Sequence, residues 1–154
     1  MTQIVTVTSE GPEVLRTDID IRAHHVVADE TKDANGESLG PEPHELLLAG
    51  LGACTAMTVR LYAARKGFPL ERITVRLSRR KIKASECADC RTAEGEVEEM
   101  SREIELVGPL DETTRTRLLE IAEKCPVHRT LSGEIKIRTR LKPSPLEMLA
   151  EFVP

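Results

Sequence analysis

The chain has 154 residues, 40% apolar, 31% charged and only 2% aromatic, with a formal net charge of −4 and a pI near 5.7. That length supports one domain, residues 1–154, and the absence of tryptophan calls for a core of Leu, Ile, Val, Ala and Met. The acidic balance argues against a nucleic-acid partner, which would demand a surplus of Lys and Arg.

Residues 1–14 contain no basic leader followed by an apolar run, so a cytoplasmic location is expected. Residues 3–8 (QIVTVT) and 15–28 (LRTDIDIRAHHVVA) alternate or cluster β-branched residues, which predicts strands of a small antiparallel meander. Residues 29–40 are polar and turn-rich, the composition of a surface loop. A helix is predicted over residues 43–66, entered through prolines and stopped by Gly67 and Pro69. Its first half, LLLAGLGACTAM, is apolar on every face, so it should be a central helix enclosed on all sides. Gly50 and Gly52 each cost about 1 kcal/mol relative to Ala in a helix and point to a close neighbour, expected to be a second helix. The longest uncharged stretch, residues 46–59, is shorter than the roughly 20 residues a bilayer requires, so no membrane span is expected.

Residues 73–83 (ITVRLSRRKIK) and 96–107 (EVEEMSREIELV) predict a hairpin with a basic and an acidic strand in position for cross-strand pairing. The run RRKIK is therefore read as a strand face and not as a nucleic-acid patch. A second helix opens after Pro109 with Asp111 as N-cap, carries Leu118, Ile121, Ala122 and Cys125 on one stripe, and is ended or kinked by Pro126. A final strand over residues 134–141 and a proline-flanked tail complete the chain.

Cysteines in a reducing compartment point to catalysis, redox sensing or metal binding. Cys54 and Cys125 lie on the two predicted helices and could face each other, with Gly50 and Ala53 allowing the close approach a disulfide needs; both could equally be small core residues. A reactive thiolate deep in a helix requires a cationic neighbour, and His128, Arg129, Arg22, His24 and His25 are the candidates. Cys87-Ala88-Asp89-Cys90 is a CxxC in the hairpin loop. It reads as half of a zinc site completed by His24 and His25 or by a second copy, as a loop disulfide or accessory thiol pair, or as having no role.

The stretch GPEPHELLLAGLGACTAMTVRLYAARKGFPLERITVRL, together with EKCPVHRTLSGEIKIRTRL, resembles the OsmC/Ohr family of thiol-dependent organic hydroperoxide reductases, and is closest to its OsmC-like branch. A Pro-x-Glu entry, a small-residue helix holding a Cys, and a second Cys followed by Pro carry the resemblance, over roughly residues 16–141. It implies an α+β fold with two long helices packed against antiparallel sheets, an intertwined homodimer, and a peroxide site near the dimer interface. It matches Cys54 to the peroxidatic cysteine, Cys125 to the resolving one, and Arg22 to an arginine that polarises the thiolate together with a glutamate. In the organic hydroperoxide branch that glutamate stands ten positions before the cysteine, where this chain has His44; Glu45, nine before, is the candidate here, with His44 and His128 secondary. A nine-residue offset on a helix turns Glu45 to the face opposite Cys54, about 13 Å along the axis, so it would have to act from before the helix or across a dimer.

The implied cycle has the Cys54 thiolate attack a peroxide oxygen, leaving a sulfenic acid that Cys125 condenses to a disulfide, which an external dithiol resets. No metal or organic cofactor is required. The apolar helix favours an organic hydroperoxide, whose alkyl part gains about 25 cal/mol per Å² on burial. Two other readings stand beside it: a non-catalytic dimer that binds a hydrophobic ligand, and a metal-binding stress protein using Cys87 and Cys90.

Overall fold

The computed structural model describes residues 3–12 and 15–142. The proline-flanked tail beyond residue 142 lies outside them. Three antiparallel strands, β1 (Thr6–Thr8), β2 (Thr17–Ile21) and β3 (His24–Ala28), form the predicted meander in the order β1-β2-β3. Ile21 pairs with His24, which leaves Arg22 and Ala23 as a two-residue turn, and Arg22 takes the positive φ of 56° that such tight hairpins use. Ile19 and Ala28 are buried, whereas β1 is exposed throughout.

The following loop is organised by a buried carboxylate. Asp29 accepts hydrogen bonds from the backbone N–H groups of Glu30 (2.8 Å), Glu37 (2.9 Å) and Leu39 (3.2 Å), closing residues 29–39 around a short 3-10 turn, Lys32–Ala34. These bonds, the one from Leu39 foremost, overcome burial and hold the Asp29 carboxyl below the usual carboxylate range.

Helix α1 (Pro43–Lys66) has the predicted bounds. Glu42 caps it in a reciprocal box with Glu45, whose Oε2 accepts the Glu42 N–H at 2.9 Å, and Gly67 ends it in the left-handed conformation at φ 67°. Leu51, Gly52, Thr55, Val59 and Ala63 are its buried positions. The expectation of a helix enclosed on all sides is corrected: Leu47, Met57 (70% exposed) and Leu61 stand open. The elements α1 chiefly touches are β4, α2 and α3, and together they leave this stripe uncovered. The neighbour of Gly52 is also not a helix, since a Cβ there would lie 2.7 Å from Leu77 Cδ1 on β4; nothing comes within 4 Å of such an atom at Gly50. With 24 residues and a mean hydropathy of 1.5 in its most apolar window, α1 is long and apolar enough to cross a membrane by length and composition alone, which the shorter uncharged stretch did not reveal.

Strands β4 (Arg72–Lys83) and β5 (Glu96–Val107) form the predicted hairpin, in register from Arg72↔Val107 to Lys83↔Glu96. The expected charge pairing is present: Arg79 meets Glu98 at 2.8 Å, Arg80 meets Glu99 at 2.5 Å, and Arg72 and Arg76 flank Glu105. Helix α2 (Glu112–Ala122) opens on Asp111, which accepts the Thr114 N–H at 2.7 Å. Val59, Ala63, Leu106, Leu118 and Ala122 form the core between α1, β5 and α2, with Tyr62, Phe68, Ile73 and Ile104 packed around it.

The C-terminal third departs from expectation in two ways. The second helix is not one long element, because α2 stops at Ala122 and α3 (Pro126–Leu131) starts afresh. Pro126 has no N–H to continue a helix but suits a first helical position, so Cys125 becomes the N-cap of α3 and not a member of the α2 stripe. The predicted strand over residues 134–141 does not form, and its apolar residues Ile137 (88% exposed) and Leu141 (92%) face outward. Its alternating pattern suits a strand, but it pairs with neither β4 nor β5, whose sheet has two strands.

Candidate active site

Cys54 sits on α1 at the boundary between the buried face and the open stripe, and it is partly exposed; Cys125 is completely buried. Both are free thiols, and the break before Pro126 brings them side by side. The Thr58 hydroxyl donates to the Cys54 carbonyl at 2.8 Å, holding one turn of α1 beneath the thiol.

The two thiols differ electrostatically. Burial pushes Cys54 up, and the adjoining Cys125 adds to this, against a pull in the other direction from the Val127 N–H and Thr58. Burial acts upward on Cys125 too, but there the N–H of His128, the Cys54 thiol, the Thr55 hydroxyl and the N–H of Val127 together outweigh it and hold the thiol below its ordinary value.

Beneath the pair lies a cation that the sequence reading missed. Arg102, on β5 with a side chain 10% exposed, donates to Thr55 Oγ1 (3.0 Å), the Ala122 carbonyl (3.3 Å), Glu123 Oε1 (2.9 Å) and His128 Nδ1 (2.8 Å). A guanidinium only donates, so His128 Nδ1 accepts and the ring carries its proton on Nε2, 3.5 Å from Glu123 Oε2. The signal was available in principle, since Arg102 pairs with Leu77 on the core face of the hairpin, where an arginine is out of place. A cavity of about 670 Å³ opens beside this network, lined by the apolar Leu51, Met100, Ile104, Leu119 and Leu131 and by the polar Glu98, Arg102, Glu123, His128 and Ser132.

The remaining predicted site residues lie elsewhere. Arg22 is exposed in the β2–β3 turn, in a meander whose principal contacts are within itself. His44 and Glu45 are exposed in the first turn of α1, and Glu45 is engaged in the cap. His24 is exposed, and His25 is held by Asp18 and Asp20, each at 3.0 Å. Of these candidates only His128 joins the cysteine pair. Cys87 and Cys90 form a disulfide with Cα atoms 5.4 Å apart, so in this state both sulfurs are committed to each other and not to a metal; Asp89 lies close by.

The profile of the OsmC-like protein family matches residues 34–140. No curated protein sequence matches the chain. Among solved structures, the chain resembles an OsmC like protein from Mycoplasma pneumoniae, at 21% identity over 86% of this chain and 89% of that one, with a TM-score of 0.66. It also resembles an organic hydroperoxide resistance protein OsmC from Legionella pneumophila, at 18% identity over 86% and 90% of the two chains, TM-score 0.60. A third likeness is to the organic hydroperoxide resistance protein OhrB of Bacillus subtilis, at 18% identity over 92% and 98%, TM-score 0.59. The α+β arrangement of helices against antiparallel sheets is shared with these structures.

Proposed function

Because the chain belongs to the OsmC-like protein family, we propose that it is a thiol-dependent peroxidase that reduces organic hydroperoxides through a Cys54 sulfenic acid and a Cys54–Cys125 disulfide. The observation that carries the reading is the apposition of two free thiols, one reachable and one buried. A peroxide can meet only the reachable sulfur, so Cys54 attacks: its lone pair takes the distal oxygen, the O–O bond breaks, and the alcohol leaves. The Cys125 thiol then gives up its proton, displaces water from the sulfenic acid and forms the disulfide. Two of the structural relatives bear names tied to organic hydroperoxide resistance, which supports the substrate class.

Burial raises the Cys54 thiol, and no cation stands among the groups that act on it among the described residues. We assign that role to Arg22, with Glu45, across an intertwined homodimer. The α1 stripe Leu47, Gly50, Met57 and Leu61 repeats at three-and-four spacing and is open, as an interface between copies would be before assembly. The working compartment in this reading is the cytoplasm, where an external dithiol regenerates the enzyme. Cys54→Ser abolishes reduction of an alkyl hydroperoxide, because a serine has no accessible anion near neutral pH. Cys125→Ser retains one burst and accumulates a sulfenic acid that a dimedone-type reagent traps. If both variants turn over like the wild type, the reading fails.

The raised Cys54 thiol and the cavity beside Arg102, part of whose wall is formed by Leu51, Met100, Ile104, Leu119 and Leu131, favour one second reading, a non-catalytic dimer that binds a hydrophobic ligand. Alkylation of Cys54 at neutral pH separates the two, since an activated thiol reacts fast and a core thiol does not.

A further inference from the structure

The loop that joins β4 to β5 carries a second thiol pair, which the chemistry of Cys54 and Cys125 does not use. Cys87 and Cys90 are half-buried there, Asp89 between them is exposed, and one ligand atom from each lies within 4.8 Å of the others. Backbone bonds that do not depend on the disulfide hold this arrangement. The Ala84 N–H donates to the Gly95 carbonyl at 2.8 Å across the mouth of the loop, and the Cys87 N–H donates to the Ala84 carbonyl at 3.1 Å. The Cys90 N–H turns back to the Cys87 carbonyl at 3.4 Å, so both sulfurs leave one turn, from Cα atoms 5.4 Å apart. Asp89 Oδ1 stands 3.4 Å from Cys87 Sγ. A disulfide sulfur has no proton to donate, so this is an acceptor set against a sulfur and not a hydrogen bond.

These separations suit a tetrahedral metal. Zinc–sulfur bonds of about 2.3 Å put two thiolates roughly 3.8 Å apart, and a carboxylate oxygen bonded at about 2.0 Å stands roughly 3.5 Å from either sulfur. The Asp89 carboxylate is thus already at coordinating separation from Cys87, and rotation of the two Cys side chains on their fixed turn supplies the rest. The charge has the required sign, since residues 84–95 hold Glu86, Asp89 and Glu94 against Arg91 alone. The bridge is open to reduction, because it spans a sequence separation of only 3, which removes little chain entropy, and lies in a solvent-facing loop. His25 is held by Asp18 and Asp20 in the meander, which leaves Asp89 and not a histidine as the third ligand.

We propose that reduction turns Cys87, Asp89 and Cys90 into a zinc site of two thiolates and one carboxylate, with its fourth position open to water, and that re-oxidation to the disulfide expels the metal. One thiolate of an external dithiol attacks a sulfur of the pair, the Cys87–Cys90 bond breaks, and the other cysteine leaves as a thiolate. The second sulfur of the dithiol, after losing its proton to solvent, attacks its partner in the mixed disulfide. The dithiol ends as its own disulfide and both cysteines end reduced. Zinc then takes the two sulfurs as thiolates, and their protons pass to solvent. In the reverse direction a two-electron oxidant of the azodicarboxamide class accepts the electron pair and two protons from water, the S–S bond re-forms, and zinc leaves as the dication. The site uses neither Cys54 nor Cys125, so it stands apart from the peroxidase reading.

The test uses the full chain, reduced with dithiothreitol, freed of reductant under argon and titrated with cobalt(II) and then zinc(II). The reduced wild type is expected to bind one metal per chain, with cobalt giving the near-ultraviolet thiolate-to-metal absorption and the visible bands of a tetrahedral centre. Zinc is expected to displace the cobalt, and diamide to release the zinc, counted by elemental analysis after gel filtration. Cys87→Ser and Cys90→Ser are expected to lose the thiolate absorption. Asp89→Ala is expected to weaken binding by at least the roughly tenfold that loss of even an outer-shell partner costs. All three changes lie in the hairpin loop, and circular dichroism checks that each variant is folded. Thiolate absorption retained in Cys87→Ser or Cys90→Ser, equal uptake by the oxidised protein, one metal per two chains, or wild-type affinity in Asp89→Ala overturns the proposal. A protein that loads the metal but never consumes peroxide overturns the peroxidase reading alone, and one that consumes peroxide but loads no metal overturns this site alone.

Discussion

Replacing Arg102 by Met keeps the apolar stem in place and deletes the guanidinium, which isolates the contribution of its hydrogen bonds. Two of them end on buried or carbonyl acceptors, Thr55 Oγ1 and the Ala122 carbonyl, which keep one other bond each, to the Leu51 carbonyl and from the Cys125 N–H; losing the guanidinium's charge-assisted bond to each costs about 1–1.5 kcal/mol. The partner in the ion pair, Glu123, is 63% exposed, so solvent screening limits that link to about 0–1 kcal/mol. The expected loss is about 3 kcal/mol in all, and Glu123→Gln should cost less than about 1 kcal/mol. Urea unfolding at fixed protein concentration measures it, since a slope of about 1–3 kcal/mol per M turns the loss into a midpoint shift of roughly 1–3 M. An Arg102→Met protein as stable as the wild type would refute the view that this arginine is structurally integrated through buried acceptors. Equal costs for Arg102→Met and Glu123→Gln would relocate its worth to the surface ion pair.

Three further outcomes are expected. Replacing both Cys87 and Cys90 by Ser leaves peroxide turnover within a few-fold of wild type, because their disulfide lies in the hairpin loop while the free thiols are on α1 and α3; a loss matching that of Cys54→Ser in a peroxide-consumption assay contradicts the assignment. If the proposed homodimer forms, Met57→Asp, which puts a charge on the open α1 stripe, shifts it towards monomer in sedimentation velocity, and a wild type that is monomeric at micromolar concentration removes the assembly argument. Asp29 has a depressed folded-state carboxyl, so its contribution to stability is present above the ordinary carboxylate value near 4 and is lost as the pH falls below it. Asp29→Asn should therefore flatten the acid limb of a stability-against-pH curve, and an unchanged limb contradicts the capping role of that side chain.

Local rules made much of the fold legible. The proline entry and glycine exit of α1, the N-cap at Asp111 and the complementary charges of β4 and β5 are all decided by residues near one another in sequence or directly across a hairpin, and each appears as expected. The apolar character of α1 was also correctly read, but periodicity cannot say what covers a face. Among the described residues only one side of the helix is covered, because the elements that pack on it arrive from that side. The segment over residues 134–141 joins no sheet even though, among the described residues, β4 and β5 each keep an edge that no strand occupies, so strand propensity alone does not decide whether a segment pairs.

The sequence by itself determined the order of the meander, α1, the hairpin and α2, the two pairs of cysteines and the resemblance that joined Cys54 to Cys125. Only the tertiary structure decided which groups surround those sulfurs. Pro126 was visible as a helix breaker, but that the break sets Cys125 at the head of α3 and next to Cys54 depends on where α3 comes to rest against α1. Arg102 stands 47 residues from Thr55 and 26 from His128 in the chain, distances over which no local pattern speaks. Electrostatic neighbours are set by packing, and packing brings together what sequence spacing holds apart.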